Sequence, residues 1–190
     1  MRQIFPDLWQ SSAERPIPNM PNVVSNAYLL TRASGNVLFY NIGREGALPA
    51  ENSADLSHID DLGGISLQLL GHWHEASPSP GRETLLDIDV IPTPGHTAGS
   101  VSFRYRSPHG RTYLFTGDAI VPSGNGWTAA PLRESDRTKL RESLTLLGSL
   151  KPDVVIAAAA VGTGTLQEVT EESWRQAIDG AERSMRRRAA

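Results

Sequence analysis

The sequence contains no cysteine among its 190 residues, which excludes disulfide bonds and thiolate metal ligands. Any metal ion would therefore be held by histidine and carboxylate side chains. Long apolar runs are also missing, since Met1–Asp7 lacks the apolar core of a signal peptide and no later run approaches the length of a membrane span. These absences predict a cytoplasmic protein with no membrane partner.

An excess of positive charge is missing as well, because 18 Lys and Arg residues face 21 Asp and Glu residues, for a net charge of -3. This balance gives no general electrostatic reason to bind nucleic acid. The one basic run, Arg186–Arg188, favours the C-terminal end of a last helix. The composition that is present, 39% apolar and 21% charged residues, is typical of a globular protein. We predict a single domain that spans residues 1–190.

Segments with strand and helix patterns alternate along the chain. Apolar and alternating runs predict strands at 23–30, 37–42, 65–70, 84–91, 101–105, 112–116 and 154–157, and a short edge strand followed by a loop within residues 1–24. Residues 124–127 are predicted as a loop. Helices are predicted at 53–62, after an N-cap at Ser135, and from about Thr170. Apolar residues recur at helical spacing in the last two: Leu140, Leu144, Leu147 and Leu150, then Trp174, Ala177, Ile178, Ala181 and Met185.

Short motifs place side chains that can bind a metal at the ends of predicted strands. His96 lies in a loop stiffened by proline and glycine, Ile91–Ser100. His72 and His74 are two positions apart on extended backbone, so both imidazoles project to the same side. Asp118 follows the end of another predicted strand. Together these four residues predict a metal centre. The alternative is that they are polar residues at strand ends that hydrogen-bond to nearby backbone groups.

The order of these segments, with motifs His-x-His, Thr-Pro-Gly-His-Thr-x-Gly-Ser and Thr-Gly-Asp, resembles the metallo-β-lactamase superfamily over nearly the whole chain. The most specific match is Thr93–Ser100, followed by Phe115–Asp118. The resemblance implies an α+β fold, a four-layer αββα sandwich with the site along one edge, shortened between the second and third histidine ligands. It also implies that one zinc-type ion is held by His72, His74 and His96, with Asp118, at the position of the family's bridging aspartate, as a fourth ligand or as the group that orients metal-bound water.

The positions at which this family holds a second metal ion carry residues here that cannot coordinate one. The family's motif aspartate and its next histidine fall on Ala76 and Ser77, and its last histidine falls within Ala157–Ala160. The Asp-x-Gly sequence that usually closes the early hairpin is Asn41-Ile42-Gly43 here. The resemblance therefore implies a degenerate active site with at most one ion, and it argues against a dinuclear hydrolytic mechanism.

Two functions are compatible with such a site. The first is hydrolysis of a small ester, thioester or amide at a single zinc ion with three histidine ligands and an open position, where the pKa of bound water falls to about 7. The second is a non-catalytic protein that binds a small molecule, a partner protein or another copy of itself at the same edge. The small side chains of Ala157–Ala160 favour the second function, because they leave space for a ligand.

Three further points stay open from the sequence. No catalytic side chain is identified; Glu75 is a substitute for the missing aspartate only if it turns towards the ion, and extended backbone points it away from His74. A homo-oligomer is compatible with the composition, and so is a purely structural role. The substrate is not defined beyond the class of a small molecule.

Overall fold

The computed structural model describes residues 1–13, 20–40, 58–71, 84–85 and 87–187. In chain order, the strands in these ranges are β1 (Arg2–Phe5), β2 (Leu8–Gln10), β3 (Val23–Ser25), β4 (Tyr28–Leu30), β5 (Val37–Phe39), β6 (Leu67–Leu69), β7 (Thr84–Leu85), β8 (Ile88–Pro92), β9 (Val101–Arg106), β10 (Thr112–Gly117), β11 (Val121–Ser123), β12 (Gly126–Thr128), β13 (Val154–Ala157), β14 (Ala159–Val161) and β15 (Leu166–Glu168). The long helices are α1 (Arg137–Ser149) and α2 (Glu171–Arg187). Residues 58–61 are also helical.

The described strands form three sheets. One has five strands in the order β1-β2-β4-β5-β6, one has six in the order β15-β13-β10-β9-β8-β7, and one has four in the order β12-β11-β14-β3. The two larger sheets are mixed: β5 is parallel to β6 and antiparallel to β4, and β10 is parallel to β13 and antiparallel to β9. Each parallel pair brings the carboxyl ends of its two strands to the same edge of the sheet.

Apolar clusters show how these layers are stacked. The central cluster lies between the two larger sheets, where Phe39 of β5 stacks on Phe115 of β10 with ring centroids 3.6 Å apart. A second cluster joins Leu114 and Val155 of the six-stranded sheet to helices α1 and α2. A third joins the outer face of the five-stranded sheet to Ile59 of the helical segment. The order helix, sheet, sheet, helix confirms the predicted α+β four-layer αββα sandwich.

Helix α1 begins at a side-chain cap one residue later than the sequence predicts. The carboxylate of Asp136 accepts hydrogen bonds from the N–H groups of Lys139 and Thr138, both at 3.0 Å. These bonds, that of Lys139 first, hold the pKa of Asp136 below its usual value. The prediction that Ser135 caps the helix is wrong, because its hydroxyl group is bound to another part of the chain.

The predicted start of α2 and the predicted apolar faces of both helices are confirmed. The side-chain oxygen of Thr170 accepts a hydrogen bond from the Ser173 N–H at 3.1 Å, and the Ser173 hydroxyl oxygen accepts one from the Thr170 N–H at 2.9 Å. Trp174 donates its indole N–H to the Leu147 carbonyl at 3.0 Å, which ties α2 to α1. The buried apolar residues of the two faces are Leu140, Leu144, Leu147, Trp174, Ala177, Ile178, Ala181 and Met185.

Residues 23–30, which the sequence predicts as one strand, form two strands in the structure. These are β3 in the four-stranded sheet and β4 in the five-stranded sheet. Asn26, between them, donates its amide N–H to the Ser11 carbonyl at 3.0 Å and accepts a hydrogen bond from the Thr165 hydroxyl at 2.7 Å. These contacts hold the chain at the point where it passes from one sheet to the other.

Several other segments also differ from their predicted secondary structure. Residues 1–24 contain the antiparallel pair β1 and β2 where one edge strand was expected, and residues 124–127 belong to the hairpin of β11 and β12. Strands β14 and β15 are not predicted from the sequence. In the helix predicted at 53–62, residues 58–61 are helical and residues 53–57 lie outside the described ranges. Gly63 and Gly64, with φ of 98° and 74°, follow it as the expected end.

Within the part of the chain that the structure describes, no helix is both long enough and apolar enough to cross a membrane.

Candidate metal centre

Strands from both larger sheets end at one edge, around Gly117 at the end of β10. Ala158, which follows β13, donates its N–H to the Gly117 carbonyl at 3.0 Å. Gly71, just beyond β6, accepts a hydrogen bond from the Val101 N–H at 2.9 Å. A Cβ atom built on Gly117 would lie 3.5 Å from the Gly71 Cα, so these two backbones are in contact. The carboxyl ends of β6, β10 and β13 therefore meet at this edge.

The loop that carries His96 is closed by its own hydrogen bonds. The Thr93 N–H donates to the Ser100 carbonyl at 2.9 Å, between the end of β8 and the start of β9. Inside the loop, the Ser100 hydroxyl oxygen accepts from the Thr97 N–H at 3.0 Å, and the Gly95 N–H donates to the Thr97 carbonyl at 2.9 Å. These contacts fix the backbone of a loop that the sequence predicts to be stiff.

Helix α1 and the segment before it hold this loop from the other side. Gly95 has φ of 133°, and a Cβ atom built there would lie 2.2 Å from the amide nitrogen of Leu140. Glycine is required at this point both by the backbone conformation and by the close approach to α1. The Ser143 hydroxyl donates to the Pro94 carbonyl, and the Ser135 hydroxyl donates to the His96 carbonyl, both at 2.7 Å. Ser135 therefore positions the histidine loop instead of capping the helix.

The imidazole ring of His96 is buried and oriented by a backbone carbonyl. Its Nδ1 atom lies 2.5 Å from the carbonyl oxygen of Ala130. Because a carbonyl oxygen only accepts hydrogen bonds, Nδ1 carries a proton, and in the neutral form of the ring Nε2 therefore carries the lone pair. Metal-binding histidines are held by this kind of contact, which fixes both the tautomer and the ring orientation.

The Nε2 atom of His96 faces the carboxylate of Asp118. His96 Nε2 lies 3.8 Å from Asp118 Oδ2, and the Asp118 side chain is 21% exposed. This separation is too long for a direct hydrogen bond. Two ligand atoms at about 2.1 Å from one zinc ion in an ideal tetrahedral site would lie roughly 3.4 Å apart. The observed separation is about 0.4 Å longer than this ideal value, and one nitrogen with one carboxylate oxygen is a donor set that zinc accepts.

The other predicted ligands, His72 and His74, lie outside the described residues, as do Trp73, Glu75, Ala76, Ser77 and the Asn41-Ile42-Gly43 sequence. The described chain reaches the edge at Gly71, and His72 is the next residue. Among the described residues, no group of three His, Cys, Asp or Glu side chains is arranged to hold a metal ion. His96 and Asp118 thus form two of the four predicted donors, and the predicted site as a whole stays a prediction.

The remaining candidates are placed apart from this pair or in the core. The His58 ring packs edge-on against Trp9, with centroids 5.1 Å apart, and His109 is exposed in the bend between β9 and β10. Trp127 packs edge-on against Trp174, with ring centroids 5.8 Å apart. Of the Ala157–Ala160 run, Ala157, Ala158 and Ala160 are buried, and none of the four side chains can coordinate.

Two groups shape this edge without any signature in the sequence. The Ala130 carbonyl that orients His96 belongs to the backbone, so no side-chain pattern marks it. The hydroxyl group of Tyr40 accepts a hydrogen bond from the Gly117 N–H, directly before Asp118. A tyrosine at the end of an apolar strand suggests core packing, and its link to another sheet becomes visible only in the fold.

Known proteins resemble this chain in sequence and in fold. A sequence model of the metallo-β-lactamase superfamily matches residues 80–159, the part that includes the His96 loop and Asp118. The hydroxyacylglutathione hydrolase of Erwinia tasmaniensis is 29% identical over a match that covers 54% of this chain and 44% of that protein. The matched region thus spans less than half the length of that relative.

Solved structures extend the similarity of fold to almost the whole chain. A metallo-β-lactamase from Pontibacter korlensis matches with a TM-score of 0.68 at 14% identity, covering 97% of each chain. A subclass B3 metallo-β-lactamase of Bradyrhizobium japonicum matches with a TM-score of 0.59 at 13% identity, covering 93% of each chain. At such low identities these matches concern the fold alone, and they agree with the αββα layering described above.

Proposed function

Because this chain belongs to the metallo-β-lactamase superfamily, we propose that it is a hydrolase with a single zinc ion, acting on a small thioester or ester. The observation that carries the proposal is the placement of His96 Nε2 at 3.8 Å from Asp118 Oδ2, with the opposite ring nitrogen fixed by the Ala130 carbonyl. Metal-binding imidazoles usually donate their other ring N–H to such an acceptor, and this contact supports the proposal.

The donor set fits zinc in its chemistry. His96 and Asp118 supply nitrogen and oxygen donors, and His72 and His74 follow Gly71 at the same edge of the sandwich. A zinc ion bound by these residues would supply Lewis acidity and lower the pKa of bound water to about 7. Ala130 keeps the His96 ring in its ligating tautomer. Asp118, one-fifth exposed, would either coordinate as a fourth ligand or accept a hydrogen bond from metal-bound water.

The name of the similar Erwinia tasmaniensis protein supports a thioester as the substrate class. A hydroxyacylglutathione is an acyl ester of a thiol, and hydrolysis of its carbonyl carbon needs an activated water and no redox cofactor. A thioester also lies within the ester, thioester and amide range that a mononuclear centre can hydrolyse. We therefore propose thioesters as the first substrates to test, with oxygen esters second.

The test combines metal analysis with hydrolysis of a hydroxyacylglutathione. Protein purified without chelator and supplied with zinc is expected to hold about one ion per chain and to cleave the thioester. His96→Ala is expected to lose the ion and at least about 100-fold in rate. His109→Ala is the matched control, since this histidine is exposed and away from the edge. Occupancy below about one tenth of an ion per chain would overturn the proposal.

A non-catalytic binding protein is the second candidate, and Ala158 favours it. This alanine lies directly beside Gly117, where its N–H binds the Gly117 carbonyl, and its side chain is a methyl group. In that case the metal-free protein binds a small molecule, a partner protein or a second copy at this edge without turnover. Calorimetric titration with the same thioester, together with sedimentation of the protein alone, separates the two: binding or self-association without hydrolysis selects the second candidate.

A further inference from the structure

Tyr40 connects the two larger sheets at the edge where the candidate ligands lie. It directly follows β5, and its backbone N–H donates to the Leu69 carbonyl at 2.9 Å, which continues the parallel pairing of β5 with β6. Its side chain belongs to the central cluster between the sheets and is 1% exposed. The ring lies edge-on to Phe115 of β10, with centroids 6.2 Å apart. A residue of one sheet thus reaches into the strands of the other.

The hydroxyl group of Tyr40 bridges β10 and β13. It accepts a hydrogen bond from the Gly117 N–H at 3.0 Å and donates one to the Ile156 carbonyl at 2.9 Å. The register of these two parallel strands shifts at this point, between Phe115 and Gly117. The tyrosine hydroxyl therefore supplies a partner to the buried Gly117 N–H at the irregularity. It also binds the Ile156 carbonyl, which the Thr116 hydroxyl contacts at 3.4 Å as well.

The backbone of Gly117 is held on both sides, and this fixes the course of the chain into Asp118. Gly117 has φ of 56°, a left-handed conformation. Its N–H is bound by Tyr40, and its carbonyl accepts the Ala158 N–H at 3.0 Å. Asp118 is the next residue, so the direction in which its carboxylate leaves the sheet depends on these two hydrogen bonds.

The backbone of Tyr40 itself is unfavourable for its residue type. Its φ is 67°, and among the described residues it is the one non-glycine residue with a positive φ. Such a conformation is rare for a large side chain and persists where the surrounding contacts determine it. Here the backbone pairing with Leu69 and the two hydroxyl contacts determine it together.

We propose that Tyr40 is a positioning residue for Asp118: its hydroxyl group ties the ends of β10 and β13 to the end of β5 and thereby sets the distance between Asp118 and His96. The inference rests on the proposed function in so far as this pair binds zinc. Through Leu69 the same tyrosine also holds the end of β6, from which the chain continues to His72 and His74. One residue, through its hydroxyl group and its backbone N–H, therefore connects the strand ends that lead to the predicted ligands.

The test compares Tyr40→Phe with Tyr113→Phe. Both tyrosines are buried and both hydroxyl groups are hydrogen-bonded, but Tyr113 donates to Asp7 near the opposite end of β10. Zinc affinity is measured by competition with a chromogenic chelator, and the geometry is followed by the visible spectrum of the cobalt(II) form. We expect Tyr40→Phe to weaken zinc binding by about 10- to 100-fold and to alter the cobalt spectrum. Tyr113→Phe is expected to bind zinc as the unmodified protein does.

The outcomes separate this inference from the proposed function. Unchanged zinc affinity in Tyr40→Phe, or an equal loss in Tyr113→Phe, overturns the positioning role. If the unmodified protein binds no zinc, the proposed function fails, and crystal structures of the metal-free proteins then decide the inference. These should show His96 Nε2 and Asp118 Oδ2 at 3.8 Å in the unmodified protein and at least about 1 Å farther apart in Tyr40→Phe; an unchanged distance overturns the inference.

If Tyr40→Phe does not fold, hydrogen exchange in the unmodified protein provides the test. The Gly117 amide is expected to exchange as slowly as the paired amides of β10, since it is bound to the Tyr40 hydroxyl. Rapid exchange of this amide would overturn the inference.

Discussion

A Cβ atom built on Gly95 would lie 2.2 Å from the amide nitrogen of Leu140, far inside the contact distance of two nonbonded atoms. Because Gly95 also has φ of 133°, Gly95→Ala is strained both in its backbone and in its packing on α1. We expect this variant to lower the free energy of unfolding by roughly 2–4 kcal/mol, measured by urea denaturation.

Gly126→Ala is the matched control for this prediction. Gly126 has φ of 109°, and an added Cβ atom would meet nothing within 4 Å. The loss of stability in Gly126→Ala therefore reflects backbone strain alone, and we expect it to be smaller than the loss in Gly95→Ala. Equal losses in the two variants would show that the contact with Leu140 contributes nothing.

Ser135 connects the His96 carbonyl to the segment before α1. Its hydroxyl donates to His96 and accepts from the Leu132 N–H, both at 2.7 Å. Ser135→Ala is expected to cost about 1–2 kcal/mol of stability and to weaken zinc binding about tenfold. Ser149→Ala is the control, because that hydroxyl donates to the Leu146 carbonyl on an exposed turn of α1. Zinc affinity that is equal in both variants would contradict the role of Ser135 in positioning His96.

Asp7 is a buried carboxylate near the far end of β10 from Gly117. Its two oxygens accept hydrogen bonds from the Tyr113 and Ser107 hydroxyl groups, both at 2.7 Å. Asp7→Ala leaves both hydroxyl groups without this partner, and we expect it to lower the free energy of unfolding by about 2–4 kcal/mol. Zinc occupancy should stay unchanged, since the change is distant from the ligand edge; loss of the ion in a folded variant would contradict this.

Alkaline pH should destabilise the protein through Tyr28. Burial raises the pKa of Tyr28 from 10.0 to about 12, while hydrogen bonds with Thr165 and Gln10 lower it to a smaller extent. The unfolded chain loses this phenol proton first, so the contribution to stability is complete below pH 10 and is lost as the pH rises from about 10 to 12. The expected loss is about 2–3 kcal/mol over that window.

The measurement is the pH dependence of the free energy of unfolding in the unmodified protein and in Tyr28→Phe. Burial also raises the pKa of Tyr113, which adds a loss of the same sign to both proteins. The variant should therefore retain a dependence on pH, but a shallower one. Identical slopes would show that Tyr28 does not titrate as described.

Restoring ligands at the degenerate positions should increase the metal content. Ala76→Asp combined with Ser77→His returns two donors that the family uses for its second ion. We expect the zinc content to rise from about one ion per chain towards two. A constant content, measured by elemental analysis, would mean that this segment departs from the arrangement in the family. The matched control is Ala76→Ser, which adds a polar group without a carboxylate.

The four-layer arrangement and the common edge of His96 and Asp118 are implied by the resemblance to the metallo-β-lactamase superfamily. From local patterns the sequence predicts most of the long strands and places polar groups at strand ends. It does not predict β14 and β15, because three-residue strands contain too little periodicity. The division of residues 23–30 between two sheets depends on contacts of Asn26 with Ser11 and Thr165, which are distant in sequence.

The same distinction explains what is missing from the candidate site. The histidine and aspartate are chemically recognisable, but the groups that orient them are a backbone carbonyl at Ala130 and a phenol at Tyr40. An alanine in a loop and a tyrosine in the core are both ordinary residues at such positions, so the sequence does not mark either one. The cap of α1 is misplaced because Ser135 and Asp136 are both good cap residues, and only the packing of the His96 loop shows which one is used.

Strands β3 and β4 belong to different sheets, and the connection between them is Asn26-Ala27. This connection is short, and the Asn26 amide group anchors it. The four-stranded sheet therefore cannot detach while the five-stranded sheet stays intact. We therefore expect the two sheets to lose protection against native-state hydrogen exchange with one common free energy, as parts of a single cooperative unit.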